Sequence, residues 1–234
     1  MEITIIHGQT HKGSTYHITT MIKEKLTDSD TTVHEYFMPK DAPDYCVGCY
    51  QCVQKGGEYC PQADQVQKIA ESMLHSEIII MDSPTYCFEM TGQLKTLFDH
   101  FAYIWMSHRP KKEMFSKIGI VISTTAGAGA NRVTKSIAKQ LFYWGVPQIY
   151  RMPFRVSAAC WGDIPEKTKQ KIIQKTEGVS HKVKNQIGKV KPNIKTKFIF
   201  NIMRKMQGSN NWNLTDKDYW QKNNWLQKGR PWKE

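Results

Sequence analysis

Four cysteines that lie close together along the chain have side chains suited to holding a metal. Cys46, Cys49, Cys52 and Cys60 form the pattern C-x2-C-x2-C-x7-C, and Pro61 follows the last of them. Thiolates at this spacing, completed by a more distant Cys-Pro pair, are typical ligands of a [4Fe–4S] cluster. Structural zinc more often uses two separated Cys pairs, and the thiols could also be free. We therefore predict a [4Fe–4S] cluster, with zinc or unliganded thiols as the alternatives.

A polar loop rich in hydroxyl groups follows the first apolar run. The loop Gly8–Tyr16 lies between a predicted strand, Glu2–His7, and a helix predicted over Ser14–Leu26. Its glycines let backbone amides approach an anion, and the helix dipole favours negative charge at that end. We predict a phosphate-binding loop. Two alternatives are a nucleotide-binding P-loop, which needs a lysine where Ser14 stands, and a loop in which Ser14 only caps the helix.

Two further loops have the composition expected around a flat ligand. In the segment Ser83–Asp99, Pro84 stiffens the exit from a strand, and Tyr86 and Phe88 supply aromatic rings where a polar loop is usual. An isoalloxazine ring needs apolar or aromatic walls and backbone amides. The run of small residues Ser123–Ala130 lets the backbone come close to such a plane. Alternatively, Tyr86 and Phe88 simply pack on the edge of the sheet.

Five apolar strands alternate with five helices along the chain. This order predicts right-handed βαβ units and a three-layer α/β fold, with helices on both faces of a parallel sheet. Five strands suit the flavodoxin-like order 2-1-3-4-5, in which ligands bind at the carboxyl ends of the strands, near strands 1 and 3. The predicted strands are Glu2–His7, Thr32–Met38, Glu77–Asp82, Lys117–Ser123 and Gln148–Val156, and the predicted helices are Ser14–Leu26, Ala63–Leu74, Thr91–Met106, Ala130–Trp144 and Ile164–Ile187.

The charge divides the chain into two parts. We expect one domain over residues 1–188, with a cysteine-bearing insertion at 39–62, and a C-terminal extension over 189–234. Residues 1–164 hold 16 Lys/Arg and 16 Asp/Glu, whereas residues 165–234 hold 17 and 5, which accounts for the net charge of +12. Four of the seven tryptophans lie between residues 212 and 232, which indicates an ordered segment. We favour packing on the domain or a subunit contact for it. Adsorption to an anionic membrane surface is the alternative, and with no recognised nucleic-acid-binding fold we expect no nucleic-acid partner.

Several features indicate the compartment. The sequence has no apolar run of the roughly twenty residues that span a bilayer. Its N-terminus is typical of a strand rather than of a signal peptide. Six cysteines, four of them clustered, suit ligand chemistry in a reducing compartment better than a disulfide framework. We therefore expect a cytoplasmic protein.

Over roughly residues 1–160 the chain resembles the NAD(P)H-dependent FMN reductases of the flavodoxin-like group, and in particular the iron–sulfur flavoproteins. Ser83–Asp99 closely matches the family's Ser-Pro-x-Tyr…Gly-x-Leu-Lys…Asp segment, and Thr124–Gly129 corresponds to its glycine-rich loop. Gly8–Tyr16 matches the family's phosphate loop loosely, with His11 in place of an arginine. The iron–sulfur flavoproteins also carry a compact cysteine motif between strand 2 and its helix, where Cys46–Cys60 lies.

The resemblance implies an enzyme in which FMN takes hydride from NAD(P)H and passes electrons to an acceptor, directly or through the [4Fe–4S] cluster. An electron carrier reduced by a partner protein is the alternative. The resemblance also implies a homodimer or homotetramer. Because the cofactor carries the chemistry, we predict no catalytic acid or base. The implied FMN contacts are Thr10, Lys12, Ser14, Thr15 and Tyr16 for the phosphate, and Pro84, Thr85, Tyr86, Cys87, Phe88, Thr125, Ala126 and Gly127 for the ring.

Overall fold

Five strands form one parallel sheet in the computed structural model, which describes residues 1–233. The order β2-β1-β3-β4-β5 confirms the predicted flavodoxin-like α/β architecture. Its interior strands are apolar along their length because helices cover both faces. The strands are β1 (Glu2–His7), β2 (Thr32–Phe37), β3 (Ile78–Pro84), β4 (Ile118–Thr125) and β5 (Gln148–Arg155).

The register brings the carboxyl ends of neighbouring strands together. His7, the last residue of β1, lies opposite Phe37 of β2 and Asp82 of β3. Ser83 and Pro84 of β3 lie opposite Ser123 and Thr124 of β4. The loops that follow β1, β3 and β4 therefore begin at one edge of the sheet, as expected for this strand order.

Eight α-helices and three short 3₁₀ helices connect and follow the strands within residues 1–233. Ile18 and Ile172 pack on one face of the sheet, whereas Ile69, Leu97 and Ile137 pack on the other. This makes the three layers of the fold. The helices are α1 (Ser14–Leu26), α2 (Gln51–Gln54), α3 (Ala63–His75), α4 (Gly92–His100), α5 (Ala130–Tyr143), α6 (Glu166–Lys184), α7 (Ile194–Gly208) and α8 (Leu214–Lys222).

Two helices are shorter than the sequence predicts. The helix expected over Thr91–Met106 ends at His100, because Phe101 leaves the helical conformation (φ −97°, ψ 13°) and a 3₁₀ turn follows at Ala102–Ile104. The helix expected over Ile164–Ile187 begins only after Pro165, which has an extended backbone, and ends at Lys184. We predicted no helix within the insertion 39–62, but it contains α2 and a 3₁₀ turn at Gly57–Tyr59.

The C-terminal helices α7 and α8 pack against the chain through aromatic side chains. Phe200, Trp220 and Trp225 are fully buried and form a cluster with Met106 and Phe115, which precede β4. The Trp220 ring stacks on Phe200 with 4.8 Å between centroids, and its indole N–H donates to the carbonyl of His108. Burial of this much aromatic surface holds the two helices in place.

No helix within residues 1–233 combines the length and apolar character needed to cross a membrane.

Candidate functional site

The loop after β1 is joined to β3 and to the loop that follows it by two hydrogen bonds at the backbone of Gly8. The Gly8 amide donates to the Asp82 carbonyl at 2.8 Å, and the Thr91 hydroxyl donates to the Gly8 carbonyl at 2.6 Å. A Cβ atom at Gly8 would lie 2.8 Å from the Asp82 oxygen, so only glycine permits this approach. Thr91 also N-caps α4, since its hydroxyl accepts from the Leu94 amide. One side chain thus fixes the start of α4 to the end of β1.

A cavity of about 250 Å³ opens at this edge of the sheet. Eight of the residues predicted to contact FMN line it, namely Ser14, Thr15, Tyr16, Pro84, Thr85, Tyr86, Thr125 and Ala126. Five others predicted for the same role, Thr10, Lys12, Cys87, Phe88 and Gly127, are not among its lining residues. The three predicted loops therefore meet around one concave space.

The N-terminal end of α1 faces this cavity with unused hydrogen-bonding groups. Gly13 is the N-cap and provides no side chain, so the interpretation in which Ser14 merely caps the helix is wrong. The Ser14 hydroxyl is buried and has no hydrogen-bond partner, although Ser14 lines the cavity. The first turn of α1 contains no acidic residue. Free amides, a positive dipole end and an unpartnered hydroxyl together suit an anion.

A strained turn begins at Tyr86, the last residue of the loop after β3 that lines the cavity. Tyr86 and Glu89 exchange two backbone hydrogen bonds of 2.9 Å, and the two residues between them, Cys87 and Phe88, both have positive φ. Positive φ costs energy in residues other than glycine and collects at functional sites. Glu89 holds the turn against α5, because its carboxylate accepts from Arg132 at 2.9 Å. The rings of Tyr86 and Phe88 remain more than half exposed.

The loop after β5 also reaches the cavity, which we did not predict. Val156, Ala158 and Ala159 line it, together with the unpredicted Gln9, His11, Gly13, Asp82 and Thr124. The signal for the β5 loop was present, since β5 ends at the same edge as β4 and small residues follow it. For Asp82 no pattern was available, because an acidic residue is not expected beside a phosphate.

A buried ionic network lies behind the cavity and explains how Asp82 is accommodated. His7 is fully buried, with Nδ1 2.5 Å from the Asp82 carboxylate and Nε2 2.9 Å from the Glu35 carboxylate. Both ring nitrogens face acceptors, so both carry protons and the imidazole is positively charged. Thr19 donates to Asp82 at 2.7 Å, and Lys23 lies 3.1 Å from Glu35. Two cations thus balance two carboxylates.

The electrostatic effects on this network follow from its contacts. Burial lowers the pKa of His7, but the charges of and hydrogen bonds to Asp82 and Glu35 outweigh burial, and the net pKa is raised. Burial raises the pKa of Glu35, but the hydrogen bonds and charges of His7 and Lys23 outweigh it, and the net pKa is lowered. Both shifts favour the charged forms.

The four clustered cysteines have contrasting surroundings. Cys46 and Cys49 are exposed, whereas Cys52 on α2 and Cys60 are partly buried. Burial raises the pKa of the Cys52 thiol, and the charges of the other three cysteines raise it further. The Cys60 sulfur lies 3.4 Å from His100 Nδ1. Within residues 1–233 no group of three or more His, Cys, Asp or Glu side chains has an arrangement that could hold a metal ion. The donor set itself, four thiols with no carboxylate, suits iron–sulfur or zinc chemistry.

The C-terminal extension holds the cysteine-bearing segment from outside. Arg109 donates to the backbone carbonyls of Cys52 and Val53 and forms a buried ion pair with Asp216 of α8. Asn213 donates to the same Val53 carbonyl at 3.1 Å, and Thr215 donates to the Gln54 carbonyl at 2.6 Å. These bonds satisfy the last carbonyls of α2, which have no partner within so short a helix.

The sheet order defines a flavodoxin-like α/β protein, and the cavity lies at the point where the strand order reverses. The family model described as NADPH-dependent FMN reductase matches residues 1–158. The chain belongs to this family.

Relatives of the chain carry names that agree with this assignment. The chain is 30% identical over 142 residues to an iron–sulfur flavoprotein of Archaeoglobus fulgidus, which covers 60% of the chain and 62% of the relative. It is 31% identical over 102 residues to one of Clostridioides difficile, covering 42% and 45%. The chain thus spans less than two thirds of the length of these relatives. An azoreductase from Bacillus anthracis superposes with a TM-score of 0.60 over 78% of the chain and 99% of that structure; its 13% identity supports the fold alone.

The His7 network makes stability depend on pH. Because the pKa of folded His7 is raised, its stabilising contribution is complete below the unfolded pKa of about 6.5 and is lost as the pH rises through the folded pKa. We expect His7→Gln to cost about 3 kcal/mol at pH 6. The cost should shrink towards pH 9, by about 1.4 kcal/mol for each unit by which the folded pKa exceeds the unfolded one. Urea unfolding at both pH values measures it.

Substitution of the exposed His75 provides the control for this prediction. His75→Gln should leave the free energy of unfolding within about 0.5 kcal/mol of the parent at both pH values, as is usual for surface positions. A cost for His7→Gln that is equal at the two pH values, or larger at pH 9, would contradict a charged His7.

Proposed function

We propose that this chain is an FMN-dependent NAD(P)H oxidoreductase whose flavin phosphate binds at the N-terminus of α1. The observation that carries the proposal is Ser14, a residue that lines the cavity and whose buried hydroxyl has no partner in the protein. An anion placed there would satisfy it, together with the free amides of the first turn of α1. Thr15 would hold the wall in place, since its hydroxyl and that of Thr124 lie 2.6 Å apart.

The flavin ring would lie between the loops after β3 and β4. Pro84, Thr85 and Tyr86 offer one wall and Thr125 and Ala126 another, and the small residues leave room for a planar group. The family resemblance adds Cys87, Phe88 and Gly127 to the ring contacts, and Thr10 and Lys12 to the phosphate contacts. Lys12 Nζ lies 5.2 Å from the centroid of the Tyr16 ring, beside the proposed phosphate.

The charge of the site suits a dianionic phosphate because the network behind it neutralises Asp82. His7 Nδ1 faces the Asp82 carboxylate and Nε2 faces that of Glu35, and the raised pKa of His7 favours a proton on both nitrogens. Without that charge, Asp82 would repel an anion in the same cavity. Bound FMN supplies the redox chemistry, accepting two electrons as hydride from a nicotinamide and releasing them to an acceptor. The protein's part is to position the flavin and to limit solvent around it.

A second proposal concerns Cys46, Cys49, Cys52 and Cys60, which we assign as ligands of a [4Fe–4S] cluster. The spacing of the four thiols and the names of the relatives support it. Such ligands require a reducing compartment, in keeping with a cytoplasmic location. We also propose that the chain assembles into homodimers or homotetramers. A separate electron-transfer protein is the acceptor that we propose for the electrons of the cluster.

The contribution of Ser14 can be measured by titrating the apoprotein with FMN. We expect Ser14→Ala to weaken FMN binding by about tenfold or more, because a hydrogen bond to a charged group contributes about 1.5–3 kcal/mol. Thr20→Ala is the matched control, since Thr20 also has an unpartnered hydroxyl on α1 but does not line the cavity. Equal affinities for the two variants would place the phosphate elsewhere.

Rapid mixing of the FMN-loaded protein with NADH or NADPH, without oxygen, tests the reductase activity. We expect the flavin absorbance to bleach with at least one of the two nucleotides, because hydride transfer reduces the ring. If neither nucleotide bleaches it while dithionite does, the chain is not a nicotinamide-dependent reductase. That result would favour the alternative, an electron carrier reduced by a partner protein.

Iron analysis of the anaerobically purified protein tests the ligand assignment. The parent should contain about four iron atoms per chain. Cys60→Ser should lose most of the iron, because a hydroxyl replaces a thiolate ligand. Cys160→Ser, at an exposed cysteine outside the cluster, should retain it. Stoichiometric zinc, or the same iron content in both variants, would refute the assignment.

A further inference from the structure

One face of α7 is apolar and exposed although the opposite face is buried. Ile194, Phe198, Ile202 and Met206 recur every fourth residue and so form one stripe along the helix. Ile194 is 87% exposed and Phe198 63%. Phe200, on the other side, is fully buried against Trp220 and Trp225. The stripe is therefore not the surface by which the helix packs on the domain, and an exposed patch of this kind marks an interaction site.

Two further exposed apolar residues follow the helix along the chain. Trp212, which is 73% exposed, and Leu214 follow within the next turn of chain. An indole ring of this kind suits a boundary between apolar and aqueous surroundings, since one part of it is apolar and its N–H is polar. We call Ile194, Phe198, Ile202, Met206, Trp212 and Leu214 the apolar face.

The charge around the apolar face has one sign. Residues 178–215 contain eight Lys/Arg and no Asp/Glu. Lys195, Lys197 and Lys205 are exposed on α7 itself. Their stems can lie along the apolar surface while the ammonium groups remain in water. An apolar surface bordered by positive charge fits a partner that is both apolar and anionic.

A groove beside α7 has the same character. It has a volume of about 540 Å³ and lies between α5 and α7. Four basic residues and no acidic one are found among the described residues that line it. Phe142 and Ile199 form its apolar part, and Lys195 lies with Nζ 4.7 Å from the centroid of the Phe142 ring. The basic lining residues are Lys135, Lys139, Arg151 and Lys195.

We propose that the apolar face of α7 and the basic groove beside it dock this protein on the surface of an anionic phospholipid bilayer. The stripe would enter the boundary between head groups and acyl chains, and the groove would face lipid phosphates. A second copy of the chain fits less well, because a two-fold contact through this face would place like charges against one another. Nucleic acid also fits less well, since only Phe198 and Trp212 of the six residues of the apolar face could stack on bases, and the other four are not aromatic.

Sedimentation with phosphatidylcholine vesicles, prepared with and without phosphatidylglycerol, tests the proposal on the full chain. We expect binding to the anionic vesicles and little to the neutral ones. Phe198→Gln combined with Met206→Gln should lower the partition coefficient by about tenfold, because less apolar surface enters the bilayer. Both side chains are exposed, so thermal unfolding should be unchanged. Trp212→Phe should remove the blue shift of tryptophan emission that vesicles cause.

Two double variants that remove the same charge distinguish docking through α7 from general attraction of a basic protein to anionic vesicles. Lys197→Gln with Lys205→Gln should reduce binding to anionic vesicles several-fold. Lys171→Gln with Lys175→Gln removes the same charge from α6, in the layer on the other face of the sheet, and should leave binding nearly unchanged. Equal losses in the two pairs would overturn the proposal. The proposal would also be overturned if the Phe198/Met206 variant bound vesicles as the parent does but formed a smaller oligomer than the parent. That result would make the apolar face a contact between copies of the chain.

Discussion

The close approach of the backbone at Gly8 to the end of β3 is the contact on which the candidate site depends. Any larger residue would push the Asp82 carbonyl and the Thr91 hydroxyl away, since its Cβ would lie 2.8 Å and 3.0 Å from them. The loop after β1 would then separate from the loop that starts α4. Because β3 is also paired with β4, the same contact fixes the loop after β4 relative to the N-terminus of α1.

The site combines an anion-binding helix end with a buried carboxylate, and the arrangement is coherent only because His7 is charged. Asp82 and Glu35 both bond to its ring, and Lys23 completes the neutralisation of Glu35. The C-terminal extension also has two contrasting sides. Its inner side pairs Asp216 with Arg109 and so fixes the carbonyls around Cys52, while its outer side presents the apolar face. Residues 189–234 hold 11 Lys/Arg and 3 Asp/Glu, which is most of the net charge of +12, whereas residues 1–164 are neutral overall.

Periodicity and strand alternation were sufficient to predict the sheet, its order and the edge where the loops meet. That Ser14, Tyr86 and Thr125 line one cavity could be predicted, because a hydroxyl at a helix start, an aromatic residue after a buried strand and a run of small residues after the next strand are local patterns. The partners of His7 could not, since they come from β2 and β3 and depend on register. Helix ends at His100 and Pro165 depend on single backbone angles that apolar spacing does not encode. The bonds of Arg109 to Cys52 and Asp216 span more than fifty residues and arise only from packing.

The cofactor content of the anaerobically purified protein is the most direct test of whether the cavity at α1 binds a flavin. The protein should be yellow-brown and should release FMN on denaturation, in about equal amount to the chain, if the cavity at the N-terminus of α1 holds its phosphate as we propose. A colourless protein that also takes up no added FMN would contradict the account, since the unpartnered Ser14 hydroxyl would then have no flavin to satisfy it.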